Sequence, residues 1–251
     1  MRDQAALQRL MDRRQIWQAG AAPPVALGVP SGIPDLDEAL PLGGWPPGAL
    51  TEVLQPACGL GELQLLMPTI TRLTRHGQRV VMVAPPFVPF APAWRMAGVR
   101  LGRLDIIDIG DPRQEALWAL ECCLRSASCA AVIGWPVQAD HTALRRLQLA
   151  ADHGRCLGFV LRHSRHAVRS SPAALRLRLL PGRRVQVLKC RGGALPAQCI
   201  TLPAFDGQIT ESCKPIDTPI EEPRRHMPCH ASADIHAPHT LPNAAQKISD
   251  R

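Results

Sequence analysis

The sequence predicts an α/β fold, a mostly parallel, doubly wound sheet flanked by helices, and three observations carry this expectation. Apolar runs without alternation recur at 79–84, 129–134 and 156–161, as strands buried on both faces require. Between them lie segments with apolar residues at helical spacing, long enough for the crossovers that parallel strands need. Residues 50–66 then read as a strand, a small-residue loop and a helix start, the layout with which nucleotide-binding α/β proteins hold phosphates.

In chain order, residues 1–22 are expected to form a helical arm and linker. Leu7, Leu10, Met11 and Trp17 recur near helical spacing among charged residues, and a Gly-Ala-Ala-Pro-Pro run ends the pattern. The core is placed at 23–203. It opens with a capped short helix at 31–40, then a Gly/Pro turn feeding a strand at 49–54. A helix at 61–76 carries Leu63, Leu66, Met67, Ile70 and Leu73 on one face, and Gly77 closes it. Strand 79–84 leads into a rigid apolar loop, 85–92, at its carboxyl end. A short helical piece at 94–97 and a strand at 104–109 follow. Next come a helix at 114–125, a strand at 129–134, and a helix at 141–153 with Leu144, Leu147, Leu149 and Ala150 apolar. Strand 156–161 precedes a basic loop to 172, and strands 175–180 and 184–189 form a hairpin about Pro181-Gly182-Arg183. The segment 204–251, rich in Pro and His, loses periodicity and reads as a disordered tail. Its Cys and His spacings match no metal pattern.

The formal net charge is +8, and its distribution is uneven. The tail carries five Lys/Arg against seven Asp/Glu, which leaves +10 on residues 1–203, and no acid lies between His153 and Phe205. Such one-sided charge suits nucleic acid or an acidic protein, and an Arg-rich solvated surface produces the same count. No apolar run reaches the roughly 18–20 residues a membrane span needs, and the charged N-terminus has no signal-peptide pattern. Nine cysteines without C-x-x-C spacing suit reduced, mostly buried thiols in a cytoplasmic protein.

The phosphate-binding pattern asks for Gly, four residues, Gly, Lys and Ser or Thr. The chain offers Pro56, four residues, Gly61, Glu62 and Leu63. A carboxylate stands where the Lys would reach the phosphates, and an isobutyl group where a hydroxyl would hold Mg²⁺. Loop N–H groups can hold phosphate without hydrolysis, but Glu62 repels it.

The succession of elements resembles the core of the RecA superfamily over about residues 28–193. The resemblance rests on the lead-in Ser31-Gly-Ile-Pro-Asp-Leu-Asp with Gly43-Gly-Trp-Pro-Pro-Gly-Ala-Leu-Thr-Glu52, on Gly110-Asp-Pro-Arg-Gln-Glu-Ala-Leu117, and on Val187-Leu-Lys-Cys-Arg-Gly-Gly193. Against that family, the metal-linked acid at the end of the fourth strand is Gly134, and the carboxylate that positions water falls on Pro85 or Pro86. Phosphoryl transfer depends on such placed charges, so the resemblance implies a RecA-like pseudo-ATPase, with no enzymatic activity, cofactor or metal expected.

Such a core, with a helical arm, a basic later half and a loose tail, is similar to the ImuA family. That similarity implies a non-catalytic accessory role in damage-induced (SOS) translesion DNA synthesis. The implied partners are ImuB-like and DnaE2-type polymerase subunits and RecA or its filament. SulA-type division inhibitors, which block FtsZ, share the degenerate core and are the alternative; an ATP-dependent RecA paralogue binding DNA is the second. In RecA-type filaments the basic pair matching Lys189 and Arg191 reaches the neighbour's ATP, so this chain is expected to cap one end of a filament or to pair with a partner without propagating the polymer. Arg162, Arg165 and Arg169 fall in the loop matching a single-stranded-DNA loop, with an acidic protein as the other candidate ligand. The arm and the tail are the expected docking segments.

Overall fold

A computed structural model describes residues 27–59, 61–109 and 115–203 of the 251. The expected arm at 1–22 and tail at 204–251 lie outside the described residues.

Eight strands form one sheet: β1 (Leu50–Gln55), β2 (Val80–Val83), β3 (Leu104–Ile107), β4 (Ala131–Gly134), β5 (Leu157–His163), β6 (Leu175–Leu180), β7 (Arg184–Cys190) and β8 (Ile200–Thr201). Their spatial order is β3-β2-β4-β5-β1-β6-β7-β8. Every pairing from β3 through β6 is parallel, and the β6–β7 and β7–β8 pairings are antiparallel. The helices are α1 (Pro34–Ala39), α2 (Glu62–Arg75), α3 (Ala91–Met96), α4 (Glu115–Arg125) and α5 (His141–Gly154). The mostly parallel, doubly wound sheet expected from the sequence is therefore what the chain forms.

Two apolar layers follow from strand alternation. Val80 and Met82 face one layer with Leu65, Leu66 and Ile70 of α2 and Trp94 of α3. Val81 and Val83 face the other, with Leu120 and Leu124 of α4 and Leu144 and Leu147 of α5. Burial on both faces explains the unbroken apolar runs.

The lead-in segment is fastened to α2 by buried polar contacts. Trp45 Nε1 donates to Thr69 Oγ1 at 2.7 Å, and Thr69 Oγ1 donates to the Ser31 carbonyl at 2.8 Å. The Trp45 ring meets Phe159 of β5 edge-on at 5.1 Å between centroids, so the Gly-Gly-Trp turn is a structural anchor.

The structure departs from the sequence reading at four places. The short helix expected over 31–40 spans Pro34–Ala39 and has no side-chain cap: Ile33 holds the N-cap position and Pro34 begins the helix. Leu149 lies on the outer, exposed face of α5, one helical step away from the stripe set by Leu144, Leu147 and Ala150. Of the seven described cysteines only Cys156 is buried, while Cys58, Cys122 and Cys199 are exposed. Finally β8, two residues long, was too short to leave a periodic signal.

Candidate functional site

The turn from β1 into α2 is where the resemblance to the RecA core places a phosphate. Gly61 caps α2 with φ of +104°, a backbone conformation that glycine adopts without strain. Glu62, the first residue of the helix, is buried, and its Oε1 accepts the Gly59 N–H at 2.7 Å. A carboxylate at a helix N-terminus is favoured by the helix dipole. Here it takes a loop N–H of the kind that binds phosphate in other α/β proteins. Leu63 packs partly buried against the core, and Pro56 is exposed.

The position at which the resemblance to the RecA core expects a metal-linked acid, Gly134, is closely packed. A Cβ on Gly134 would lie 2.3 Å from Leu120 Cδ2 and 2.9 Å from Leu120 Cγ. Leu120 is fully buried on α4, so a side chain at 134 meets a packed wall. At the end of β2, Ala84 has φ of +48°. That left-handed conformation is uncommon outside glycine, and it turns the chain into Pro85 and Pro86.

Three charged residues that the sequence scatters are joined in the centre of the sheet. Glu52 on β1 is fully buried; its Oε1 meets Arg162 Nη1 and its Oε2 meets Arg176 Nε, each at 2.5 Å. The parallel pairing of β1 with β5 and β6 sets Glu52 between these neighbours: its partners in register are Val160 and Arg176. Arg162 also donates to the Ala139 carbonyl. Arg176 donates to the carbonyls of His166 at 2.9 Å and Arg169 at 3.0 Å. One carboxylate thus serves two buried guanidinium groups, and Arg176 staples the short 3-10 turn Ser164–Val168 to the sheet.

This network revises the basic set. Arg162 is buried and paired with Glu52, so it is not part of the exposed loop surface. Arg165 and Arg169 are exposed, as is Arg191. Lys189 is half-buried and donates to the Ser171 carbonyl at 2.7 Å. Burial, then Arg191 and Arg176, lower its pKa. The pair Lys189 and Arg191 is thereby split into one tethered and one free-standing cation. Sequence reasoning missed Glu52 and Arg176. The available signal was a charged residue at an inward position of each of two apolar strands.

A cavity of about 440 Å³ opens at the carboxyl ends of β1, β2, β4 and β5. Ligands of open α/β sheets bind at such ends. Its apolar wall includes Pro85, Pro86, Trp135 and Val137, and its polar wall includes His163, Arg165 and His166. Among the described residues four buried side-chain polar atoms lack a protein partner, and three belong to residues lining this cavity: Gln55 Oε1, Trp135 Nε1 and Arg162 Nε. The fourth is Glu62 Oε2. The His166 pKa is lowered by burial, then by Arg162, Arg165 and Arg169, which registers the positive potential of that wall. Among the described residues no group of His, Cys, Asp or Glu is arranged to hold a metal, and no helix is long and apolar enough to cross a membrane.

The fold and the site define an α/β protein in which the turn from β1 into α2 is closed by its own carboxylate, Glu62. No family model matches the chain, and no curated protein matches it. Among solved structures it is similar to SulA from Pseudomonas aeruginosa, at 23% identity over 45% of this chain and 97% of that chain, with a TM-score of 0.39. At that degree of likeness the fold rests on the strand order and register given above.

Proposed function

We propose that this protein is a non-catalytic, RecA-like accessory protein of damage-induced translesion DNA synthesis. It acts with an ImuB-like protein, a DnaE2-type polymerase and RecA, and it works through its surfaces. The observation that carries the non-catalytic part is the Glu62 carboxylate on the Gly59 N–H. A nucleotide phosphate would have to displace a charge-assisted hydrogen bond and then face a buried like charge. The Leu120 side chain at Gly134 and the prolines at 85 and 86 remove the other two placed charges that phosphoryl transfer requires.

The assignment to translesion synthesis rests on the sequence resemblance described above. In this reading the exposed Arg191 contacts a neighbouring RecA protomer, and the chain ends a filament because its own nucleotide side is closed. A heterologous interface propagates only when both faces work.

The test is co-expression with the ImuB-like and DnaE2-type proteins, with a thermal melt in millimolar ATP beside it. Co-purification is expected, together with a midpoint unmoved by ATP, because only a ligand that binds the folded state raises it. Absence of both partners from the purified protein, with inhibition of FtsZ polymerisation by the pure chain, would replace this reading with that of a division inhibitor.

A further inference from the structure

The loops that line the cavity at the carboxyl ends of the strands continue into several exposed apolar residues. Val137 lines the cavity and is half exposed. The loop beginning with the cavity residues Pro85 and Pro86 continues into Phe87, Val88 and Phe90, which are 71%, 90% and 70% exposed. Two residues beyond the cavity residue His166, Val168 is 92% exposed. Scattered single apolar residues need no explanation, but a group on adjacent loops at one sheet edge marks an interaction site.

The same edge is cationic. Arg162 and Arg176 share the single carboxylate of Glu52, so the buried network keeps an excess positive charge behind the cavity wall. Arg165, which lines the cavity, and Arg169, four residues further on, are both exposed, and Asp108 is the one acid among the described cavity-lining residues. Three cavity-lining residues retain an unpartnered buried polar atom. An apolar rim around a cationic wall is complementary to a chain that alternates apolar and acidic residues.

We infer that the cavity and its rim are a docking site for an acidic, apolar-anchored segment of a partner polypeptide. An aliphatic or aromatic side chain enters between Pro86 and Val137, and a neighbouring carboxylate faces His163 and Arg165. A nucleic-acid strand is the poorer fit: Phe87 and Phe90 could each stack a base, but a phosphate chain takes little from Val88, Val137 and Val168, and the 3-10 turn beside the arginines carries no Phe, Tyr or Trp. The site rests on the preceding reading only in taking the protein to act through surfaces.

The test selects a random-peptide display library on the full chain, then measures the recovered peptides and an oligothymidine by fluorescence anisotropy against the wild type, Val137→Asp and Arg165→Glu. Both positions are exposed, and an unchanged thermal midpoint verifies folding of each variant. Recovered peptides are expected to combine Leu, Ile or Phe with Asp or Glu. Each variant should weaken them about tenfold, the equivalent of about 1.4 kcal/mol, and added salt should weaken them further. Peptides without acids, or affinities indifferent to both substitutions, overturn the inference. So does an oligothymidine that binds through Arg165 while no peptide does. If the ImuB-like partner co-purifies equally with both variants and no peptide depends on them, this site fails and the proposed function stands. Peptides that behave as expected without co-purification leave the site standing and remove the function.

Discussion

Replacing Glu52 by Gln keeps the shape of the side chain and removes the only carboxylate of the buried network. The fully buried Glu52 contacts two guanidinium groups that are themselves 6% and 8% exposed. Removing one partner of a buried pair costs about 3–5 kcal/mol, because the remaining charge keeps its desolvation cost without compensation. Here two like charges are left facing each other, so the upper part of that range applies. For a domain with total stability of about 5–15 kcal/mol and a urea slope of about 2 kcal/mol per M, the midpoint should fall by about 2 M. Equilibrium urea unfolding followed by far-UV circular dichroism measures it. The deficit should persist in about 1 M salt, since buried pairs are screened far less than exposed ones. A loss below about 1 kcal/mol, or one that salt abolishes, would show that Glu52 is solvated and refute the reasoning. Arg162→Met and Arg176→Met separate the two arms. Only Arg176 holds the carbonyls of His166 and Arg169, so Arg176→Met alone should speed tryptic cleavage after Arg165 and Arg169.

Gly134→Asp, which restores an acid at the end of β4, should lower stability by about 1–3 kcal/mol through overpacking against Leu120 and leave ATP hydrolysis absent in a phosphate-release assay. The folded pKa of His166 lies below its ordinary 6.5, so the unfolded chain binds the proton first as pH falls. Its contribution is complete above 6.5 and is lost as pH drops through 6.5 toward the folded value. His166→Asn should therefore flatten the decline of the urea midpoint below about pH 6.5. Burial raises the Cys156 thiol well above its ordinary 9.0, whereas Cys58, Cys122 and Cys199 are exposed. Iodoacetamide footprinting by mass spectrometry should label those three before Cys156, and Cys156 only on unfolding. Trp45→Phe removes the donor to Thr69 and should cost about 1–3 kcal/mol in urea unfolding, the penalty for a buried hydrogen bond left unmade.

The parts of the fold that were legible in the sequence are those set by local periodicity. Helices α2, α4 and α5, strands β1 to β7 and the β6–β7 hairpin all appear within a few residues of their expected places, because an apolar stripe or run is a statement about which face is covered. The failures share a different cause. Leu149 satisfied the apolar count of α5 but not its phase. The exposed cysteines broke a compositional habit, and composition is blind to position. At the site, Pro56, Gly61, Glu62 and Leu63 stand out as departures from a motif whose positions are close together in sequence, whereas Gly134 stands out only through the order of elements, at the end of the fourth strand.

What the sequence determined by itself is the layered α/β architecture and the identity of the residues at the turn from β1 into α2. Each follows from short-range order: helical phase, strand burial, and the residue types that a phosphate needs next to one another. What only the tertiary structure decided is the use made of charge. Arg162 and Arg165 are three residues apart and look alike along the chain, yet one is sealed against Glu52 and the other faces solvent. Glu52 and Arg176 are separated by 124 positions and become partners only because β6 pairs beside β1. Burial and pairing of charges depend on which strands are neighbours, and parallel crossovers set that order through contacts far apart in sequence.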